Sequence, residues 1–262
     1  MLNGNDSIYL RAFNADGITK QKLHVMMIVD TSRSMQGERI NQVNKSIADI
    51  HKYLVELQSE NTNVDFYISI MTFANKAEFL EGCKGVNVNE MTPPKLKAIG
   101  YSNLHCAYEE LAPILNKESS GGIMPDFGGI APIILLLTDG HPSKNTESQL
   151  ENLKKLPWFN AALRYGIAIE LNDARTMKVL TDFTEDNDCV IECIDANTLA
   201  KIIQVIVLTA SKVKSQSSAV RANNTIKSKI KQGNLSAPYT ASHTIVKQQI
   251  KTTLNEIEDL EW

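Results

Sequence analysis

Met26-Met-Ile-Val-Asp-Thr-Ser-Arg-Ser-Met-Gln-Gly37 is an apolar run that stops at Asp30 and is followed at once by Ser32 and Ser34. Residues 23 to 30 read as a strand buried on both faces, the kind found in parallel sheets. Directly after it, residues 36 to 59 carry Ile40, Val43, Ile47, Ile50, Leu54 and Leu57 at intervals of 3, 4, 3, 4 and 3, the spacing of a helix with one buried stripe. Strand plus amphipathic helix opens a βαβ unit, and the chain repeats the theme. Further strands are expected at 64–73, 132–138, 162–169 and 189–194, with a short edge strand at 77–81. Further helices are expected from Leu104 to Leu115 and over 146–156, 173–182 and 196–212. This alternation implies an α/β fold: a doubly wound, mostly parallel sheet with one short antiparallel edge strand. Ligands in open sheets of that class collect at the carboxyl ends of strands, where Asp30 and Asp139 both fall.

A carboxylate with hydroxyls two and four residues on offers only hard oxygen donors. That set suits Mg2+ or Mn2+ and not a thiol-seeking ion. More oxygens are expected from Ser102, in the loop Gly100-Tyr-Ser-Asn-Leu104, and from Asp139, near the end of Ile133-Ile-Leu-Leu-Leu-Thr-Asp-Gly140. Each piece alone has a plainer reading. Ser32 or Ser34 could cap the helix beginning near Gly37, and Asp139-Gly140 could be a tight turn. Two uncompensated acids meeting at one sheet edge would repel each other, however, and a cation removes that penalty. Arg33, Asn75, His141, Pro142 and Ser143 are candidate rim residues around such an ion.

The triplet D-x-S-x-S, a distant hydroxyl loop and a T-D-G at a second strand end, in that chain order, resemble the von Willebrand factor A family and its metal-ion-dependent adhesion site. Carried over position by position, the resemblance implies metal ligands at Asp30, Ser32, Ser34, Ser102 and Asp139, with serine at 102 where the family more often has threonine. It covers roughly residues 20 to 210. The wording Leu137-Thr-Asp-Gly-His-Pro-Ser143 looks most like the bacterial cytoplasmic tellurite-resistance Y-type branch. The resemblance implies a Rossmann-like fold, a bound Mg2+ or Mn2+, and a non-enzymatic adaptor whose ion has an open position for an Asp or Glu of a protein partner. Domains of that branch accompany a serine/threonine kinase and a PP2C-type phosphatase, or work beside AAA+ ATPases, so the implied setting is bacterial phospho-signalling or stress defence. One alternative is a structural or assembly subunit, for example of an AAA+ ATPase complex, that binds through its C-terminal helix. Another is a Mg2+-dependent phosphohydrolase. Against it, the residue two after Asp30 is Ser32 and not a second acid, and Ser34 has no evident base.

Composition narrows the classes further. A chain of 262 residues with 43% hydrophobic and 22% charged residues is ordinary for a globular protein, and a net charge of −3 gives no global case for nucleic acid or anionic membrane. The start Met1-Leu-Asn-Gly-Asn-Asp-Ser lacks the basic and apolar regions of a secretory signal. The longest apolar stretches, Ile130–Leu137 and Ile202–Leu208, are far shorter than the ~20 residues needed to span a bilayer. Cys83, Cys106, Cys189 and Cys193 show no C-x-x-C spacing and read as reduced core thiols, which with the other features suggests the cytoplasm. Cys189 and Cys193 would share a face if both lie in one strand. The Gly-rich stretch 119–129 precedes a strand, opposite the metal edge, and lacks a Gly-Lys-Ser ending, so it reads as a flexible connection and not a phosphate cradle. The histidines form no i, i+4 pair and read as satisfied structural or surface residues, with His141 alone near the proposed ion.

Three segments are therefore expected: a domain over 1–212, a basic polar linker over 213–241, and an amphipathic helix over 242–262. The stretch Lys212 to Gln232 holds Lys212, Lys214, Arg221, Lys227, Lys229 and Lys231 with no acid and no interleaved aromatics, so a solvated connection is favoured over a nucleic-acid tail. Val246, Ile250, Leu254 and Ile257 would line one face of the terminal helix, which either folds back on its own domain or docks elsewhere.

Overall fold

The strand that opens the chain's pattern, β1 (Gln21–Asp30), lies between β2 (Val64–Phe73) and β5 (Ile133–Thr138) and runs parallel to both. The computed structural model describes residues 20–60, 64–126, 129–140, 142, 145–170, 173–193, 199–201, 203–207, 248 and 252. β6 (Leu163–Ile169) and β7 (Val190–Cys193) continue the parallel pairing beyond β5, and β3 (Ala77–Phe79) turns antiparallel on β2 at the opposite edge. The order across the sheet is therefore β3-β2-β1-β5-β6-β7. A two-residue strand, β4 (Val86–Asn87), also pairs antiparallel with β2. The fold is thus mixed α/β with a mostly parallel sheet, as the alternation in the sequence implies.

Side-chain alternation along β1 builds two cores. Leu23, Val25, Met27 and Val29 pack on the face covered by α1 (Glu38–Glu60), where Ile40, Val43, Ile47, Ile50 and Leu54 form the buried stripe. Leu199, Ile203, Ile206 and Val207, from a helical stretch near the end of the described domain, join the same face. Met26 and Ile28 point the other way, into a core shared with α2 (Leu104–Ile114), α3 (Glu147–Lys154), α4 (Pro157–Ala161) and α5 (Ala174–Thr184). Each fully buried Leu, Ile, Val or Phe contributes about 1.5–3 kcal/mol, so α1 is held chiefly by its stripe.

This layering fixes where a ligand can sit. α1 crosses on one face and leads from β1 to β2; α2 crosses on the other and leads from β2 past β1 to β5. The winding therefore reverses between β1 and β5, and the crevice at their carboxyl ends is the topological switch point of the sheet. Asp30 is the last residue of β1, and Asp139 follows the last residue of β5.

Several expectations need correction. The helix expected over 146–156 forms as α3 but stops at Lys154; Leu156 is extended, and Pro157 starts a separate short helix, α4, that was not expected. A proline lacks the amide that would continue a helix but is well suited to begin one. Cys189 is not in a strand with Cys193; it closes a short 3-10 turn, Asn187–Cys189, ahead of β7. Cys83 and Cys189 are buried and in no disulfide, whereas Cys106 is only half-buried. The Gly-rich stretch is tied down as far as it is described: Gly122 N donates to Lys117 O, Met124 N to Asn116 O, and the Ser119 hydroxyl to Asp126. Glu118 beside it pairs with Lys22, at the amino end of β1, far along the strand from Asp30. The linker and terminal helix lie outside the described residues except Gln248 and Thr252, which are helical, with Thr252 Oγ1 donating to Gln248 O. Among the described residues no helix is long and apolar enough to cross a membrane.

His24 departs from the expectation of a satisfied histidine. It is 3% exposed, and neither ring nitrogen has a hydrogen-bond partner. Its ring lies 5.3 Å from that of Tyr67. Burial, with a smaller contribution from Lys22, pushes its pKa down to about 4, against ~6.5 in an unfolded chain. Between those two values the unfolded chain takes up a proton that the folded chain refuses, so stability falls as pH drops from ~6.5 towards 4, by up to about 3 kcal/mol. Denaturant titrations of His24→Leu across that range should show a flatter dependence on pH than the parent; an unchanged slope would place the cause elsewhere.

Candidate metal centre

Asp30 is fully buried, and only neutral donors meet it. Its Oδ1 accepts from Ser32 N at 2.8 Å. Its Oδ2 accepts from Ser102 Oγ at 2.9 Å and from Thr138 Oγ1 at 2.7 Å. Ser32 Oγ lies 3.0 Å from Ser34 Oγ, which donates to Asp139 Oδ1 at 2.7 Å. The five residues singled out in the sequence thus form one hydrogen-bonded cluster spanning the mouth between β1 and β5. Ser32 makes no side-chain cap bond to the 3-10 turn that follows it, Arg33–Met35, and Ser34 is turned towards Asp139. Neither hydroxyl acts as the helix cap of the plainer reading.

Arg39, in the first turn of α1, belongs to the site without having been apparent in the sequence. Its Nη1 donates to Asp139 Oδ2 at 2.6 Å and to Ser34 O at 3.2 Å, while its Nε donates to Glu170 Oε2 at 3.1 Å. Gln42 Nε2 holds the other Glu170 oxygen at 2.9 Å. Glu170 follows β6 and has φ +49°, a left-handed backbone uncommon outside glycine. The two acids of the cluster are therefore not both uncompensated, contrary to the expectation of mutual repulsion. Asp139 has a guanidinium, and Asp30 has no cationic side chain against it among the described residues. A signal for Arg39 was available: a cation is disfavoured at the positive end of a helix, so a basic residue there implies a carboxylate nearby. Thr138, which the sequence marks only as a strand residue, also takes part; its hydroxyl meets Gly140 O at 3.0 Å as well as Asp30.

Burial raises the pKa of the Asp30 carboxyl above its ordinary value, against the opposing pull of hydrogen bonds from Ser32, Thr138 and Ser102. A buried carboxylate held only by neutral groups retains much of its desolvation cost, and a dication set among these oxygens would remove it. No group of three or more His, Cys, Asp or Glu gathers among the described residues, so the donors here are hydroxyls and two carboxylates. That hard, oxygen-only set fits Mg2+ or Mn2+.

The loop carrying Ser102 is fixed on both sides. Ile99 N donates to Thr31 O at 2.7 Å and Arg33 N to Gly100 O at 3.0 Å. Asn75 Oδ1 accepts from Tyr101 N at 2.9 Å, and Asn75 O accepts from Asn103 Nδ2 at 3.1 Å. Gly100 has φ +96°, and a Cβ there would stand 2.8 Å from the Asn75 side chain, so only glycine fits. Asn75 is thus a support of the loop. Arg33 is exposed beside it, Pro142 is half-buried, and His141 and Ser143 lie outside the described residues.

A model of the von Willebrand factor type A domain matches residues 24–205, most of the chain. The chain belongs to the von Willebrand factor type A family. Domains of this family generally serve as protein-interaction modules and not as enzymes. Among curated proteins, inter-alpha-trypsin inhibitor heavy chain H1 of Bos taurus is 22% identical over 192 residues, which are 66% of this chain and 19% of that protein. The Sus scrofa protein of the same name is 23% identical over 64% of this chain, again 19% of its own length. The chain therefore spans about a fifth of the curated relatives it matches. A von Willebrand factor type A structure from Catenulispora acidiphila superposes with a TM-score of 0.54 at 14% identity, over 72% of this chain and 43% of that one. The pilus adhesin SpaC from Lactobacillus rhamnosus GG gives 0.50 at 13% identity, over 70% and 30%. At such identities these likenesses speak for the fold alone.

Proposed function

We propose that this domain is a non-enzymatic adaptor that binds Mg2+ or Mn2+ through Asp30, Ser32, Ser34, Ser102 and Asp139 and uses the ion to capture an Asp or Glu of a partner protein. The observation that supports this reading most is Asp30: buried, without a cationic neighbour among the described residues, and wired to Ser32 and to the hydroxyls of Ser102 and Thr138 at the switch point of the sheet. Three of the proposed donors are neutral, so a dication there keeps much of its charge and remains attractive to an external carboxylate. Arg33 and Pro142 are rim residues in this reading, together with His141 and Ser143, and Asn75 acts by holding the Ser102 loop. The preferred setting is a bacterial cytoplasmic phospho-signalling or stress system with a serine/threonine kinase and a PP2C-type phosphatase, on the resemblance of the T-D-G-H-P-S segment. An assembly role beside an AAA+ ATPase, through residues 242–262, is the second reading.

Titration of the full chain with Mg2+ and Mn2+ by calorimetry, with melting followed in parallel, tests the ion. Ser32→Ala should weaken binding by about tenfold or more, with little effect on melting in EDTA, because Asp30 keeps the Ser32 amide and the hydroxyls of Ser102 and Thr138. Equal affinity in the variant and the parent would remove the hydroxyl from the site, and the absence of heat with the parent would end the proposal.

A further inference from the structure

Ile99 and Tyr101 are 69% and 71% exposed, the two exposed large hydrophobic side chains among the described residues. They flank Gly100, close to Ser102, on a loop fastened at nearly every position. Besides the bonds at 99, 100, 101 and 103, Leu96 is held by both amide atoms of Asn44, at 2.6 and 3.0 Å, and Ala98 O by Gln36 Nε2 at 3.1 Å. A loop so fixed presents its side chains with little ordering left to lose on binding. Around them stand Arg33, Lys95 and Lys97, all exposed and in no ion pair among the described residues. The surface beside the candidate ion is therefore an apolar pair within a basic fringe, and its complement is a segment that mixes carboxylates with large apolar side chains.

This chain contains such a segment. Leu254-Asn-Glu-Ile-Glu-Asp-Leu-Glu-Trp262 carries four acids and four large apolar residues in nine positions, with no basic residue. From the metal-capture reading above, we infer that residues 254–262 dock on the Ile99–Tyr101 loop, with one carboxylate directed to the ion and neighbouring apolar side chains on the exposed pair. Residues 208–253 separate the segment from the described core. Even wholly helical they would measure about 70 Å, more than the ~40 Å breadth of a domain this size, so their length permits docking within one chain.

Carbodiimide treatment of the full chain, which joins a carboxylate to an amine only at contact distance, tests this with native residues. Linkage of Lys95 or Lys97 to Glu256, Glu258, Asp259 or Glu261 is expected, identified by mass spectrometry and stronger in Mg2+ than in protein stripped of metal and then freed of chelator. Mixing isotopically light and heavy protein distinguishes docking within a chain from docking on a second copy, and either origin supports the inference. Ile99→Ser combined with Tyr101→Ser should cut the yield at least fivefold in saturating Mg2+ and, because docking and ion binding are linked, weaken Mg2+ binding without abolishing it. No tail linkage, or a yield unmoved by the double substitution, overturns the docking even where Mg2+ binds normally. A tail linkage that persists in a parent chain binding no Mg2+ supports the docking and rejects the ion instead.

Discussion

Asp30→Asn is expected to abolish Mg2+ binding, weakening it more than ~100-fold, while leaving the apo protein as stable as the parent or slightly more so. The amide can keep every contact. Its oxygen takes the place of Oδ1 opposite Ser32 N, and its NH2 faces Ser102 and Thr138, whose hydroxyls can rotate to accept. What disappears is a buried charge whose desolvation the surrounding neutral donors do not fully offset. Affinity falls because a ligand carboxylate is lost outright, a larger effect than the ~10–100-fold typical of groups behind the ligands. Calorimetry and melting in EDTA measure the two sides separately. Asparagine that bound Mg2+ like the parent, or that unfolded the domain, would make Asp30 a structural residue only.

Arg39→Met should act in the opposite direction on both measurements. Without the guanidinium, Asp139 is left with its side chain fully buried and unpaired apart from Ser34. Removing one partner of a buried pair costs about 3–5 kcal/mol; with Arg39 29% exposed, about 1–3 kcal/mol is expected in EDTA. A dication a few ångströms from Asp139 no longer meets a fixed positive charge. At ~6 Å and an effective dielectric near that of water the relief exceeds ~1 kcal/mol, so Mg2+ should bind about tenfold tighter or more. The variant should therefore melt well below the parent in EDTA and recover most of the difference in saturating Mg2+. Equal melting in EDTA together with equal affinity would mean that Arg39 and Asp139 do not sense each other in solution.

Much of this architecture was legible in the sequence because each signal there reports a local cause. The unbroken apolar run at 23–30 announced a strand covered on both faces, and the Ile40-to-Leu57 stripe announced α1. Asp30, Ser32 and Ser34 declared themselves by composition at a strand end, and Ser102 and Asp139 by local context and family likeness. What escaped depended on contacts across the sheet. Arg39 lies 100 positions from Asp139 and 131 from Glu170; a base in the first turn of α1 hinted at an acid, but no periodicity says which acid it meets. The short helix α4 went unread although Pro157, a residue suited to open a helix, stands directly after the expected end at 156. The orphaned ring of His24 needed the packing itself, since a strand histidine finds a partner or lacks one according to what lies above it.

The bond from Ile99 N to Thr31 O and the bond from Arg33 N to Gly100 O join two stretches of backbone that lie far apart in the chain. Those rungs bracket Ser32 on one side and the Ile99–Tyr101 pair on the other, so the two stretches travel as one body. If ion capture draws Ser32 inward by even a fraction of an ångström, the exposed pair is re-aimed with it, with no helix required to slide. Occupancy of the crevice would thereby be written directly onto the face that a visiting protein touches.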